Sequence, residues 1–171
     1  MSVTSGTSEP VLVRYQAAER LGAGHSHTLL LADSDTTNGA VSANRAILEA
    51  GADGPPPHLH RRSTEVFFVL GGSLTALAGD QVITLEKGDF LSVPPGMPHA
   101  FGASPGSDAD VLIMFSPAAT KRFEYFRLVD KVIKGEATVD EVLAAEERFD
   151  NHFFQNDLWQ AARQGASERG H

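Results

Sequence analysis

Three histidines and one glutamate are the residues whose types and spacing are best suited to chemistry. His58 and His60 lie two positions apart, and Glu65 follows after a short polar stretch. In a β-strand the side chains at i and i+2 share a face, so the two imidazoles can point toward one ion. Glu65 begins an apolar strand, from which its carboxylate can reach back to that ion. This stretch therefore predicts part of a metal site.

A third imidazole comes from a separate part of the chain. His99 follows Pro94 and Gly96, which predict a tight turn that presents the imidazole from another pair of strands. Three neutral imidazoles and one carboxylate suit Fe, Mn, Co, Ni, Cu or Zn, and four protein ligands leave room for water, dioxygen or a substrate oxygen. We expect one divalent transition metal ion, with the ligands His58, His60, Glu65 and His99.

Each part of this set also has an ordinary structural explanation. A lone histidine in a loop is usually solvated, Glu65 could be a charge at a strand edge, and the glycine and proline residues could form a turn and nothing more. Four ligand-type residues and two turn signatures in the right order favour the metal site. His25 and His27 repeat the His-x-His spacing without further ligands, and we expect them to be surface or core histidines.

The elements that must position these ligands are predicted to be short strands. From residue 11 to residue 116 the chain consists of short apolar runs separated by Gly, Pro, Asn and Asp, which is typical of an all-β domain. About eight strands at this spacing favour a closed or two-sheet barrel. The predicted strands are Val11–Tyr15, His27–Leu31, Val41–Leu48, Glu65–Leu70, Leu74–Ala78, Gln81–Leu85, Phe90–Val93, Ala100–Gly102 and Val111–Phe115. The predicted turns are Asn38-Gly39, Gly71-Gly72, Gly79-Asp80 and Gly88-Asp89.

The pattern changes after Pro117. Apolar residues at helical spacing predict a helix that ends at Gly135, and Thr138 followed by acidic residues predicts the start of a second helix running toward Trp159. We therefore expect four segments: a flexible arm (1–10), a β-barrel (11–116), a helical segment (117–164) and a frayed tail (165–171).

Composition excludes several classes of partner and site. The chain has 171 residues, a formal net charge of −8 and no cysteine. Disulfides, thiolate metal ligands and a cysteine nucleophile are therefore excluded. An acidic chain without a basic cluster is a poor binder of nucleic acid or of an anionic membrane surface. No apolar run has membrane-spanning length, and we expect a cytoplasmic protein.

The two ligand-bearing stretches resemble the two motifs of the cupin superfamily, G-x5-HxH-x3–4-E-x6-G and G-x5-PxG-x2-H-x3-N. The positions that match are His58, His60, Glu65 and Gly72 in the first motif and Gly88, Pro94, Gly96 and His99 in the second. Ala52 and Ala103 stand where the motifs have Gly and Asn, and neither position is a metal ligand. The resemblance covers about residues 40–116.

This resemblance implies a fold and an assembly. A single motif pair implies a single-domain cupin, which is a double-stranded β-helix, or jelly-roll barrel, here with C-terminal α-helices. The metal would lie near one mouth of the barrel, and the protein would be a homodimer. In overall shape the chain is similar to quercetinase-like cupins, which open flavonols or related enols with dioxygen.

The resemblance leads to a metal-dependent dioxygenase as the first functional hypothesis. A flavonol-like or other enolic or aromatic small molecule would bind the metal, and Glu65 would be both ligand and acceptor of the substrate's hydroxyl proton. One alternative is an isomerase, cyclase or hydrolase that uses the metal as a Lewis acid. Another is a cupin that binds a small molecule without catalysis.

Aromatic residues near the ligands are candidates for the substrate pocket. Strand alternation puts Phe67 on the face of Glu65, and Phe101 on the face of His99, while Met97 lies in the turn before His99. Each of the three could instead be core or turn packing. The helical segment could form a lid or could dock on the barrel or on a second subunit. The phenylalanines of that segment are Phe123, Phe126, Phe149, Phe153 and Phe154.

Overall fold

The computed structural model describes residues 9–24 and 26–167. Most of the arm expected at 1–10, His25 and the last four residues of the expected tail lie outside the described residues. The strands are β1 (Glu19–Ala23), β2 (Ser26–Ala32), β3 (Ser42–Leu48), β4 (His58–Leu59), β5 (Thr64–Ala78), β6 (Gln81–Glu86), β7 (Phe90–Val93), β8 (His99–Ala103), β9 (Ala109–Ser116) and β10 (His152–Phe153). The helices are α1 (Arg122–Ile133), α2 (Val139–Ala144), α3 (Glu146–Phe149) and α4 (Asp157–Ser167).

All the strand pairs between these elements are antiparallel, and they form two sheets that share β5. The first half of β5 pairs with β7 and with β9, and the sheet continues through β3 and β2 to β1. The second half of β5 pairs with β6 and with β8, which leads to β4 and β10. The all-β prediction with C-terminal helices is confirmed. The strands do not close into a ring of hydrogen bonds, so the two-sheet alternative is the correct one.

A glycine pair inside β5 allows this strand to serve both sheets. The pairing of β5 with β9 shifts register between Val69 and Gly71, and Gly72 has a φ of +68°. A β-carbon at Gly72 would lie 1.7 Å from the backbone oxygen of Asp108, so only glycine fits there. The prediction of a turn at Gly71-Gly72 is therefore wrong. The two glycines form a bulge within one 15-residue strand.

The N-terminal strand was predicted in the wrong place. The segment from Val11 to Tyr15 is exposed and forms no strand, with Leu12 at 69% exposure, and a short 3-10 helix covers Tyr15–Ala17. The edge strand β1 begins only at Glu19 and pairs with β2. The hairpin turn predicted at Gly79-Asp80 is confirmed, because it joins β5 to β6 and Gly79 has a φ of +64°.

The core lies between the inner faces of the two sheets. Burial alternates along β3 and β9, and in the first half of β5 the side chains of Glu65, Phe67 and Val69 are buried. This alternation has the period of a half-buried strand and confirms the faces expected for β5. The core cluster includes Phe67, Leu74, Val93, Val111 and Phe115.

The C-terminal segment is helical but is interrupted by a strand. The helix start predicted at Thr138 is confirmed, because Thr138 is the N-cap of α2 and forms a capping box with Glu141. Between α3 and α4 the chain forms β10, which pairs with β4 and was not predicted. Helix α4 continues to Ser167, three residues into the segment predicted as a frayed tail. Among the described residues no helix is both long enough and apolar enough to cross a membrane.

Candidate metal centre

Four side chains from three strands and one loop meet at a single point in the protein interior. His58 lies in β4, His60 in the loop that follows it, Glu65 near the start of β5 and His99 at the start of β8. All four are buried, and their ligand atoms lie within 4.8 Å of one another. The structure thus brings together all four residues predicted as metal ligands, and His58 and His99 are direct partners in the pairing of β4 with β8.

The distances between the ligand atoms suit a single small cation. Oε2 of Glu65 lies 2.6 Å from Nε2 of His99, 2.9 Å from Nε2 of His60 and 3.9 Å from Nε2 of His58. Ligands bound about 2.1 Å from one ion are separated from their neighbours by roughly 3 Å. The four atoms therefore need only small movements to surround an ion.

Backbone carbonyls fix the orientation of each imidazole. Nδ1 of His58 lies 2.9 Å from the oxygen of Pro56, and Nδ1 of His99 lies 2.9 Å from the oxygen of Met97. Nδ1 of His60 lies 2.5 Å from the oxygen of Asp150. Since a carbonyl can only accept, each Nδ1 carries the proton and donates. Each Nε2 lone pair is then free to bind a metal, which is the usual arrangement of metal-binding histidines.

The charges of the four clustered side chains favour a bound cation. Burial alone would raise the pKa of Glu65, but the charges and hydrogen bonds of His99 and His60 outweigh it and hold that pKa well below its ordinary value. Burial, with the neighbouring His99 and His60, lowers the pKa of His58 well below its ordinary value. Burial also acts to lower the pKa of His99, but the Glu65 carboxylate raises it overall. A carboxylate in contact with imidazoles is stabilised by a proton or by a metal ion, and these residues fit a divalent metal.

Asp150 connects the C-terminal segment to this centre. Its carboxylate accepts hydrogen bonds from the backbone N–H groups of Arg61 and Arg62, both at 2.9 Å, in the loop between His60 and Glu65. Burial acts to raise the pKa of Asp150, but these two hydrogen bonds hold it below its ordinary value. The side chains of Arg61 and Arg62 are exposed.

A cavity of about 720 Å³ opens beside the metal centre. Its floor consists of the inner faces of β3 and β9, and its other walls come from β1, β2 and the helices α1 and α2. Three of the four predicted ligands border it, with His99 lying behind them. The residues from the C-terminal segment that line it include Arg122, Tyr125, Phe126, Val129, Val142, Asn151, Phe153 and Phe154. A cavity of this size and apolar character suits a small organic molecule.

The three residues predicted to line the substrate pocket fall in different places. Phe101 borders the cavity. Phe67 does not border it: this side chain is 1% exposed and packs against the rings of Phe101 and His99, at centroid distances of 5.2 and 6.3 Å. Met97 packs against the same core cluster and is also absent from the cavity wall. Phe67 and Met97 are therefore core residues, which was the plainer of the two sequence interpretations.

The helical segment covers one side of the cavity, with three of the five phenylalanines named from the sequence. Phe126, Phe153 and Phe154 border the cavity, whereas Phe123 and Phe149 do not. Phe149 packs against the ring of Tyr125 instead, with the centroids 5.7 Å apart. His27, expected to be a surface or core histidine, lies on the cavity wall with its Nε2 2.8 Å from Arg20 and is not part of the metal cluster.

Among the cavity residues that the sequence analysis missed, two are buried polar residues with an unsatisfied atom. Arg122 at the start of α1 and Asn44 on the inner face of β3 are both 2% exposed. Nε of Arg122 and Oδ1 of Asn44 are buried without a hydrogen-bond partner among the described residues. Neither residue lies near the ligand motifs in the sequence, so the spacing of those motifs gave no indication that Arg122 or Asn44 borders the cavity.

Comparison with known protein families identifies the central part of the chain. Residues 44–115 match the family described as "Cupin domain". A segment of 66 residues is 36% identical to "Oxidoreductase iacF" from Pestalotiopsis fici (strain W106-1 / CGMCC3.15140). This match covers 38% of the present chain and 32% of that protein, so the chain matches only about a third of its relative's length.

Solved structures support the same fold at low sequence identity. An RmlC-like cupin from Shewanella frigidimarina NCIMB 400 superimposes with a TM-score of 0.55 and 22% identity, over 65% of this chain and 94% of the other. Pac13, a nucleoside dehydratase from Streptomyces, superimposes with a TM-score of 0.51 and 13% identity, over 65% of this chain and 83% of the other. At these identities the similarity establishes the jelly-roll fold alone.

Proposed function

This chain is a member of the cupin superfamily, and from that membership we propose that it is a metal-dependent oxidoreductase, a dioxygenase that acts on an enolic or aromatic small molecule. The observation that carries the proposal is the buried cluster of His58, His60, Glu65 and His99 at the wall of an apolar cavity. The similarity to an oxidoreductase over 66 residues points in the same direction. A bound divalent ion would supply a common binding point for substrate oxygen and dioxygen and a path for electrons between them.

The charge of Glu65 and the orientation of the imidazoles suit this role. The lowered pKa of Glu65 keeps the carboxylate ionised at neutral pH, and the Nδ1 hydrogen bonds keep the Nε2 lone pairs directed at the ion. We assign Glu65 a second role as acceptor of the substrate's hydroxyl proton, because it is the carboxylate that borders both the ion site and the cavity.

The cavity supports an aromatic or enolic substrate. Phe101, Phe115 and Phe126 border it and offer ring faces and edges to a flat molecule. The four ligand-type residues are buried, which limits the access of bulk water to the proposed reaction site. The helical segment supplies one wall, and we propose that it covers the bound substrate.

Oxygen uptake tests this function. The full chain, loaded in turn with Fe, Mn, Co or Ni, should consume dioxygen with a flavonol or a related enol, and a chelator or the substitution His99→Ala should abolish uptake. Asp140→Ala, an exposed position of α2 that does not border the cavity, should leave uptake intact. Absence of uptake with every pair of metal and enol would overturn the proposal.

The same assay separates the alternatives. Metal-dependent turnover of an enol or carbonyl compound under strictly anaerobic conditions would indicate Lewis-acid chemistry instead, such as isomerisation, cyclisation or hydrolysis. Tight, metal-dependent binding of a small molecule with no turnover would indicate a binding protein. The homodimer stays a prediction, which sedimentation of the purified chain tests.

A further inference from the structure

Arg122 is a buried cation that faces the cavity without an ion-pair partner. It is the first residue of α1, borders the cavity and is 2% exposed. Among residues 9–24 and 26–167, no carboxylate oxygen lies within 4.0 Å of its guanidinium nitrogens. A charge removed from water is unfavourable without a hydrogen-bonded partner of opposite charge, so buried charges in proteins are usually paired.

The neighbours of Arg122 satisfy its guanidinium only in part. Its Cζ atom lies 4.2 Å from the ring centroid of Phe115 and 5.6 Å from that of Tyr125. Nη1 makes one long hydrogen bond of 3.4 Å to Oδ1 of Asn151, and the buried Nε makes none. A guanidinium has five N–H donors, so most of its hydrogen-bonding capacity is directed at no described residue.

The carboxylate of Asp33, which contacts the start of α1, is already used for another purpose. Asp33, in the loop after β2, is buried and accepts hydrogen bonds from the backbone N–H groups of Arg122 (3.0 Å) and Phe123 (2.9 Å). These bonds hold the N-terminus of α1 against the loop after β2. Asp33 therefore fixes the position of Arg122 without neutralising its side chain.

Asn44 is a second unpartnered polar group in the same cavity. It lies on the inner face of β3, opposite Ile113 of β9, among apolar neighbours such as Ala46. Its Oδ1 atom is buried, and no donor within the described part of the chain reaches it. Buried polar atoms are almost always hydrogen-bonded. Two exceptions on residues that border one cavity indicate that a bound ligand supplies the missing hydrogen-bond partners.

Phe115 relates these groups to the metal centre. The ring of Phe115 contacts the guanidinium of Arg122 and also the imidazole of His60, whose centroid is 5.3 Å away. A ligand that reaches both Arg122 and the ion site must therefore extend along about one aromatic ring.

We propose that Arg122 binds a carboxylate of the substrate and that Asn44 accepts a hydrogen bond from a substrate N–H or O–H group. The substrate is then an organic acid with an apolar, aromatic-sized body, whose reacting oxygen points to the metal centre and whose carboxylate points away from it. This inference rests on the proposed function and names the substrate class of the same site. A guanidinium can hold a carboxylate through two parallel hydrogen bonds, which gives both affinity and orientation.

Binding of a matched pair of aromatic probes tests the inference without requiring turnover. Isothermal titration calorimetry of the full chain would compare 2-naphthoate with 2-naphthamide, which has nearly the same shape and no charge. We expect the acid to bind at least about tenfold more tightly than the amide, both in chelator-treated protein and in protein loaded with zinc. The substitution Arg122→Gln should remove this preference, and Arg127→Gln, on the same helix but paired with Glu19 outside the cavity, should keep it.

Each outcome decides the inference. Equal binding of acid and amide to the unaltered chain would overturn it, even if Arg122→Gln fails to fold. A preference for the acid that disappears in chelator-treated protein would also overturn it, because the carboxylate would then be binding the metal. Failure of oxygen uptake in the presence of an intact acid preference would refute the dioxygenase proposal and leave the carboxylate site standing.

Discussion

Nδ1 of His60 donates a hydrogen bond to the backbone carbonyl of Asp150, 2.5 Å away and 90 residues later in the chain. Asp150 adopts a left-handed backbone conformation with φ +51°, and its carboxylate holds the backbone N–H groups of Arg61 and Arg62. The orientation of a candidate metal ligand is thus set by a residue outside the barrel strands. Such supporting hydrogen bonds contribute to metal affinity as the ligands do.

Removal of the Asp150 side chain should therefore weaken the metal centre. Asp150→Ala removes two buried hydrogen bonds to the loop after His60, and we expect a loss of about 2–3 kcal/mol in the free energy of unfolding and about a tenfold weaker affinity for zinc. Asp150→Asn tolerates the same backbone conformation, and its stability and zinc affinity should lie between those of the unaltered chain and those of Asp150→Ala. Asp140→Ala on the exposed side of α2 is the control. Unchanged zinc affinity in Asp150→Ala would contradict the supporting role.

Metal binding should weaken as pH falls, because His99 binds an ion only when its Nε2 is unprotonated. Its pKa is raised above the ordinary value of 6.5, so protons begin to compete above that pH. Below the pKa of His99 the affinity should fall about tenfold per pH unit for one competing proton. The measurement is the increase in unfolding temperature on addition of zinc, at pH 8 and at pH 6. An increase that is equal or larger at pH 6 would count against His99 as a ligand.

Loss of the Asp33 carboxylate should loosen the start of α1. Asp33→Ala leaves the backbone N–H groups of Arg122 and Phe123 without their acceptor, and we expect a loss of about 1–2 kcal/mol in the free energy of unfolding. Since Asp33 positions Arg122, affinity for 2-naphthoate should fall more than affinity for 2-naphthamide. Asp35→Ala, exposed in the same loop, should change neither quantity. Chemical denaturation and calorimetry measure the two effects, and an equal fall for both probes would argue against a positioning role.

The bulge in β5 should be intolerant of any side chain. Gly72→Ala places a β-carbon against the backbone oxygen of Asp108, and we expect a loss of more than about 4 kcal/mol or failure to fold. Gly79→Ala is a matched control, because Gly79 has a similar φ but open space around it. That control should cost about 1–2 kcal/mol from the backbone conformation alone. Similar stability of the two variants would show that the close approach is unimportant.

The cluster of four ligand-type residues could be predicted because the residue types and spacings of two short stretches of sequence indicate it. The common strand face expected for His58 and His60 is not what brings them together, because β4 ends at Leu59 and His60 lies in the loop that follows. Dipeptides that contain glycine were more ambiguous as turn signals. Gly79-Asp80 is a hairpin turn, whereas Gly71-Gly72 is a bulge within a strand, and amino-acid composition does not distinguish the two structures. The run Val11–Tyr15 has strand composition but no partner strand, and pairing is a tertiary property.

The cavity could not be predicted in the same way. Long-range contacts bring three further residues to the site: Arg122 from α1, Asn44 from β3 and Asp150 from the segment after α3. The periodicity of a sequence carries no information about such contacts. The candidates taken from positions next to the ligands were only partly useful. Proximity in sequence indicated Phe101, which borders the cavity, but it also indicated Phe67 and Met97, which pack in the core.

Strand β10 lies against β4, so the last third of the chain forms part of the wall around a candidate metal centre whose four ligand-type residues come from the preceding part of the chain. The family match ends at residue 115, before Arg122, Tyr125 and three of the phenylalanines that border the cavity. The four ligand-type residues therefore lie in one block of sequence, and the block that follows it supplies one side of the cavity together with the Asp150 carbonyl that orients His60. Under the proposed function, a relative with a different second block would recognise a different molecule, and it would keep the metal centre only where that block still supplies an acceptor for His60.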